Sequence, residues 1–279
     1  MKYKLIITDF DGTLNGYSHQ NPADKRTLDA IKAYRDKGGI FTISTGRSYE
    51  SLAPFLVNFK MDKLSIPVGC YNGAAIYGCD TGKILMQFSI PNDVAIRWIR
   101  HAMQYNVYIQ CYVDDVIYVN HLTRFSQMYS RGFNLNFKEV GNLVQFLQET
   151  GYTPKKLLIM GMPDKVTEVD YLYNSLHKAE FEDLTFLQSH AMLYEIISVN
   201  ASKGQIAQEL SKMVGVSLKD TICIGDNIND ISMLKLAGLA VAVDNARQEV
   251  KDIAGYITNH CDECGVANVL ELATNDLLP

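Results

Sequence analysis

The hydrophobic pattern of this 279-residue chain changes period repeatedly in its first third. Lys4-Leu5-Ile6-Ile7-Thr8 is a short apolar run of the kind that fills a buried strand. A helical spacing follows between about Pro22 and Lys37, with Leu28, Ile31 and Tyr34 on one face; Asn21-Pro22 supplies a start and Gly38-Gly39 a stop. Ile40-Phe41-Thr42-Ile43 is the next strand. Tyr49–Phe59 carries a further helical pattern, interrupted by Pro54, and 67–71 forms a short strand that runs into Asn72-Gly73. Strands alternating with helices imply a parallel sheet covered by helices, with right-handed crossovers.

The middle of the chain reads differently. Ala75-Ile76-Tyr77 and Ile84-Leu85-Met86 predict a hairpin turning at Asp80-Thr81-Gly82. Helix signals at 93–105 and 165–179 then mix with strand signals at 107–113, 116–120 and 156–160. Strand and helix alternate again from about 191: Tyr194–Ser198, helix 203–214, strand 221–225, helix 229–237 and strand 239–243. The expected fold is therefore α/β. A doubly wound, Rossmann-like parallel sheet is built from 1–88 and 191–279, and an α+β domain is inserted at 89–190.

Ligands of such sheets sit beyond the carboxyl ends of the strands, and that is where the polar motifs fall. Asp9-Phe10-Asp11-Gly12 follows the first strand. Carboxylates two residues apart on an extended segment project to one side, and a glycine after them allows a sharp turn. They would repel unless a cation or a shared proton relieved them. A second acidic motif, Gly225-Asp226-Asn227-Ile228-Asn229-Asp230, follows the strand Thr221–Ile224. Asp9, Asp11 and Asp226 together offer hard oxygen ligands that suit Mg²⁺. Asp230 could reach that metal or orient a bound water, and equally could be an ordinary first-turn acid favoured by the helix dipole.

Phosphate needs donors too. Thr45-Gly46-Arg47 opens a loop whose hydroxyl and N–H groups could nest an anion, although Ser44 could supply the hydroxyl and the tripeptide also fits a simple helix entry. Asn72 and Asn229 add neutral donors. Lys203, in Ser202-Lys203-Gly204 at a helix start, opposes the helix dipole, which hints at a ligand; a solvated lysine is the ordinary alternative. There is no Walker-type phosphate loop, no EF-hand glycine spacing and no histidine-rich zinc spacing.

Composition narrows the partners. With 26 basic and 31 acidic residues the net charge is −5, which lacks the basic footprint of a nucleic-acid binder. No run of apolar residues is long enough to span a membrane, and no signal-peptide pattern opens the chain, so a cytoplasmic protein with no membrane partner is expected. The six cysteines are scattered, unlike a disulfide framework. Cys261-x-x-Cys264 has redox or zinc spacing but no second pair, and reads as two loop thiols.

Taken together, Asp9–Leu14, Ser44-Thr45-Gly46-Arg47, Asn72-Gly73-Ala74, Ser202-Lys203-Gly204, Gly225–Leu234, Asp244-Asn245-Ala246 and Cys264-Gly265-Val266-Ala267 resemble the haloacid dehalogenase-like superfamily of aspartate-nucleophile phosphatases. The order and spacing look like its Cof-type branch, which carries a large α/β cap. The resemblance spans the chain. It implies that Asp9 is the nucleophile and a Mg²⁺ ligand. Asp11 would be the general acid/base and lend its backbone carbonyl to the metal. Thr45 (with Gly46 in its loop), Asn72, Asn229 and Lys203 would hold phosphoryl oxygens. Asp226 would bind the metal, and Asp230 would support it directly or through a neighbour. Asp244 departs from the small residue common in the branch, and Cys261 to Cys264 replace a loop that is usually acidic. The implied activity is Mg²⁺-dependent hydrolysis of small phosphorylated metabolites, such as sugar phosphates or a phosphorylated cofactor. Two alternatives are a phosphomutase with the same covalent chemistry and a phosphate-sensing protein without turnover. Substrate specificity is expected in the inserted domain, where Tyr112, Asp114, Asp115 and Tyr118 lie on or between candidate strands; none is singled out.

Overall fold

The computed structural model describes residues 1–17, 24–105, 107–124, 126–127, 130, 135–160, 181–190 and 193–279. Within these the chain divides into two compact units. One comprises Met1–Arg47, Leu52–Met86 and Ser202–Pro279; the other comprises Ser48–Ser51 and Gln87–Ala201.

The first unit is built on a five-stranded sheet. Its order is Tyr256–Ile257, Leu239–Ala242, Thr221–Gly225, Leu5–Thr8, Ile40–Ile43, and every adjacent pair is parallel. Leu5–Thr8 lies between two parallel neighbours and is wholly buried, which is why its sequence is a continuous apolar run rather than an alternation. A single parallel bridge, Ser44 to Gly69, brings Pro67–Cys70 alongside; that strand begins the three-stranded meander with Ala75–Gly78 and Ile84–Gln87. Gly82, at φ +62°, makes the expected turn of the hairpin.

The helix Lys25–Asp36 is capped by Asp24, whose side chain accepts from the Thr27 N–H, and it buries Thr27, Ala30, Ile31 and Tyr34. The anticipated start at Asn21-Pro22 lies outside the described residues, as does the helix expected at 165–179. Tyr49–Asn58 remains helical despite Pro54. The helix expected at 229–237 is shorter: a 3₁₀ turn at Ile228–Asp230 leads into Ile231–Leu234. That turn is wound around the Asp230 carboxylate, as described below.

The second unit carries a six-stranded sheet in the order Leu184–His190, Leu193–Ser198, Lys156–Met160, Tyr108–Val113, Val116–Val119, Asn136–Glu139, antiparallel except for its last pair. Helices Asn92–Ala102 and Leu143–Thr150 contribute Trp98, Ile99, Leu143 and Leu147 to its apolar core, together with Ile109, Cys111, Leu157 and Ile159 from the strands. Asp114 and Asp115 form the hairpin turn with φ of +44° and +63°, as a tight two-residue connection requires. The strand that sequence reasoning assigned to the resumed core, Tyr194–Ser198, pairs here instead. The boundary of this unit therefore falls after Ala201 rather than near 191. A short buried strand reads alike in either sheet; only its long-range hydrogen-bond partners decide which one it joins.

Candidate active site

The sheet of the first unit brings the separate loops to one rim. Thr8, Ile43 and Ile224 are aligned across three neighbouring strands, so Asp9, Ser44-Thr45 and Gly225-Asp226 leave the sheet side by side. Asp9 N–H is fixed to the Ile224 carbonyl at 2.9 Å, and Ser44 N–H to the Thr8 carbonyl at 2.9 Å.

The turn after Asp9 is sharp. Gly12 sits at φ +81°, a left-handed conformation that glycine adopts without penalty, and an added Cβ would lie 2.7 Å from the Tyr17 hydroxyl and 2.8 Å from Asp226 Oδ2. The two acidic loops thus touch through a bare backbone. Thr13 Oγ1 donates to Asp226 Oδ1 at 2.8 Å and ties them directly. In the second loop Asp230 folds back: its Oδ2 accepts from the Asp226 and Asn227 N–H groups at 3.0 and 2.9 Å, completing a capping box with Asn227.

Lys203 is the first residue of the helix Lys203–Val214, which is capped by Ser202. Its ammonium, 1% exposed, donates to Asp9 Oδ1 and to Asp230 Oδ1, each at 2.5 Å. The approach depends on Gly73, where a Cβ would come within 2.4–2.5 Å of the Ser202 backbone. Gly73 ends a run of three left-handed residues, Tyr71 (φ +55°), Asn72 (+54°) and Gly73 (+109°). Strain of this kind persists where surroundings over-determine it. Here the Tyr71 and Asn72 N–H groups are held by the Arg47 and Thr45 carbonyls at 2.9 and 3.0 Å.

The anticipated phosphate donors also meet. Asn229 Nδ2 donates to Asn72 Oδ1 at 2.8 Å, and a Cβ on Gly46 would lie 3.0 Å from the Asn72 amide. Thr45 Oγ1 accepts from the Arg47 N–H at 3.2 Å, so its own proton is free to donate. The alternative hydroxyl, Ser44 Oγ, is fully buried with no hydrogen-bond partner among the described residues.

Asp11 stands apart from the buried carboxylates. Its half-exposed side chain is gripped by Arg47, Nε to Oδ2 and Nη2 to Oδ1, both at 2.7 Å. The guanidinium lies 4.8 and 5.0 Å from the rings of Phe10 and Phe55, a stacking that holds it in place. Arg47, Thr13 and Asn245 each lie in a motif quoted above, but their contacts were not anticipated from sequence: each depends on a partner tens to hundreds of positions away. The thiols of Cys261 and Cys264 are free; Cys261 Sγ lies 3.7 Å from His260 Nδ1, and Cys264 contacts Asp24.

The electrostatics of the buried acids suit a divalent cation. Asp9, Asp226 and Asp230 are buried, and one ligand oxygen from each lies within 4.8 Å of the others. Burial drives the Asp9 carboxyl well above its usual range, against the pull of Lys203. Burial and then Asp230 push Asp226 up to about 6. Burial alone would lower Lys203, but Asp230 and Asp9 outweigh it and hold the ammonium above the ordinary lysine range. One ammonium against three carboxylates leaves two negative charges, which a divalent ion with oxygen preference would neutralise. The residues present fit such an ion. No described helix is long and apolar enough to cross a membrane.

The chain is similar to known hydrolases along almost its whole length. A family model described as haloacid dehalogenase-like hydrolase matches residues 6–270. Among curated proteins of Bacillus subtilis, the chain is 28% identical over 289 residues to the phosphatase YwpJ, covering 96% of this chain and 99% of the relative. It is 29% identical over 270 residues to the 5-amino-6-(5-phospho-D-ribitylamino)uracil phosphatase YitU, covering 96% of each. A solved haloacid dehalogenase-like hydrolase from Bacteroides thetaiotaomicron superposes with a TM-score of 0.83 at 25% identity, over 97% of this chain and 99% of that one.

Proposed function

Because the chain belongs to the haloacid dehalogenase-like hydrolase family, we propose that it is a Mg²⁺-dependent phosphatase of small phosphorylated metabolites, sugar phosphates or a phosphorylated cofactor, working through an aspartyl-phosphate on Asp9. The observation that carries this reading is the buried Asp9–Lys203–Asp230 arrangement at the strand ends, with Asp226 tied alongside by Thr13.

Asp9 attacks the phosphorus atom with one carboxylate oxygen. A new O–P bond forms as the bond to the substrate's alkoxide oxygen breaks, and Asp11 donates a proton to that leaving oxygen. Asp11 then takes a proton from water, which attacks the phosphorus and releases inorganic phosphate and free Asp9. Two manageable steps replace one difficult displacement. Attack by a carboxylate on an anionic ester is opposed by charge, and Lys203 offsets part of that. Mg²⁺, held by Asp9, Asp226 and the Asp11 backbone carbonyl, supplies the remaining positive charge when bound. Thr45, Gly46, Asn72 and Asn229 orient the phosphoryl oxygens. Asp230, whose two oxygens already serve Lys203 and two backbone N–H groups, acts as the support that aims Lys203. Asp11 leaves Arg47 to reach the leaving group; its exposed position leaves room for that rotation.

The test is phosphate release from a panel of phosphorylated metabolites, with Mg²⁺ and with EDTA, by the parent and by Asp9→Asn. Cation-dependent release by the parent and none by a folded Asp9→Asn variant is expected. Undiminished release by Asp9→Asn overturns the nucleophile assignment. Substrate consumption without phosphate release favours a mutase.

A further inference from the structure

Asn245 lies outside the set of groups assigned to substrate or metal, yet its side chain joins the two loops that flank the acidic cluster. Its Nδ2 donates to the Gly12 carbonyl at 2.7 Å, and its Oδ1 accepts from the Cys261 N–H at 2.9 Å. The Tyr17 hydroxyl, which overhangs Gly12, also interacts with it. The short segment that carries Asn245 is itself stitched to the second acidic loop and to the 259–261 loop. The Val243 N–H meets the Gly225 carbonyl at 3.4 Å, the Arg247 N–H meets the Asp226 carbonyl at 2.9 Å, and the Asp244 N–H meets the Asn259 carbonyl at 3.3 Å.

A carboxamide is suited to this place. It presents one donor and one acceptor on a single short, rigid plane, and here each is matched to a backbone group on a different loop. Gly12 needs such a restraint, because a residue without a side chain is held only through its backbone. The other tie between the acidic loops, Thr13 to Asp226, acts on the far side of Gly12 from Asp11. Without Asn245, nothing among the described hydrogen bonds holds the Gly12 carbonyl itself. The Gly12 N–H is held by the Asn15 carbonyl at 2.8 Å, but the peptide that links Gly12 to Thr13 is then left to shift relative to Asp226.

We propose that Asn245 is a positioning residue for the cation site: by clamping Gly12 to the 243–247 and 259–261 loops it fixes the spacing between the Asp9/Asp11 turn and Asp226, and so sets affinity for a divalent cation. This rests on the reading that the acidic cluster binds such an ion. Residues that orient metal ligands without touching the ion are commonly worth about ten- to a hundredfold in affinity.

The experiment is a Mn²⁺ titration followed by electron paramagnetic resonance, on the full chain, for the parent and Asn245→Ala, with thermal melts on the same samples. The expected result is a Kd for Mn²⁺ raised by about tenfold or more in a folded variant. A purely structural role would lower Tm and leave Kd unchanged, and that outcome overturns the proposal. Should Asn245→Ala not fold, Asn245→Ser, which keeps a small polar group but cannot span both loops, is judged by the same criterion. A parent that binds no Mn²⁺ overturns the cation reading, and this inference with it. A binding parent matched by its variant overturns this inference alone.

Discussion

Gly73→Ala adds one methyl group at the place where the structure has least room for it. The new Cβ would sit 2.4 Å from the Ser202 carbonyl carbon and oxygen and 2.5 Å from its nitrogen. An ordinary carbon contact needs about 3.5 Å, so one backbone must retreat by about 1 Å. The obstacle is main chain, which no rotamer change can relieve. A left-handed φ of +109° adds a penalty of about 1–2 kcal/mol for a residue with a side chain. Ser202 caps the helix that begins with Lys203, so the retreat is transmitted to the ammonium that bridges Asp9 and Asp230. A misplacement of about 1 Å in catalytic geometry can cost about a hundredfold in rate.

Gly215→Ala is the matched control. It has a similar left-handed φ, +71°, at the other end of the same helix, and open space around its Cβ position. It should lose about 1 kcal/mol, or about 2–4 °C in Tm, through backbone strain alone, and keep its turnover. The assay is phosphate release from p-nitrophenyl phosphate, with thermal melts alongside. Gly73→Ala with parental kcat, or with a loss no greater than that of Gly215→Ala, would refute the argument that this glycine exists to admit Lys203.

Further outcomes follow from the same site. Lys203→Met leaves Asp9, Asp226 and Asp230 buried without a counter-charge; breaking a buried pair costs about 3–5 kcal/mol, and added Mg²⁺ should recover part of it in a thermal melt, whereas an unchanged Tm would contradict the pairing. Asp11→Asn should slow hydrolysis of alkyl phosphates far more than that of p-nitrophenyl phosphate, whose leaving group needs little protonation; equal losses would remove Asp11 as the acid. The Asp226 carboxyl, raised to about 6 by burial and Asp230, favours the folded state when protonated, so its contribution is present at low pH and lost as pH rises through about 6. Melts of cation-free protein should therefore show Tm falling across that range, with Mg²⁺ raising Tm more at pH about 7.5 than at pH about 5.5; the reverse order would count against Asp226 as a ligand.

The chain by itself settled the alternation of short apolar runs and helical spacings, and therefore a parallel sheet with acidic and hydroxyl-bearing loops at its strand ends. Period and run length are local properties, and Leu5–Thr8 or Ile40–Ile43 need no partner to be read. The motifs were legible for the same reason: Asp9, Asp11, Thr45, Asn72, Lys203, Asp226 and Asn229 each lie within a short segment of definite type. The tertiary structure decided what those segments do to one another. It placed Tyr194–Ser198 in the antiparallel sheet, because sheet membership is a matter of distant hydrogen-bond partners. It committed both oxygens of Asp230 to Lys203 and to the N–H groups of its own turn, where sequence left a ligand and a helix-start acid equally open. It gave Asp11 to Arg47 and Gly12 to Asn245 across 36 and 233 positions of chain. Contacts of that separation form only when the sheet has brought the loops together, so the geometry that makes the acidic loops one site belongs to the fold.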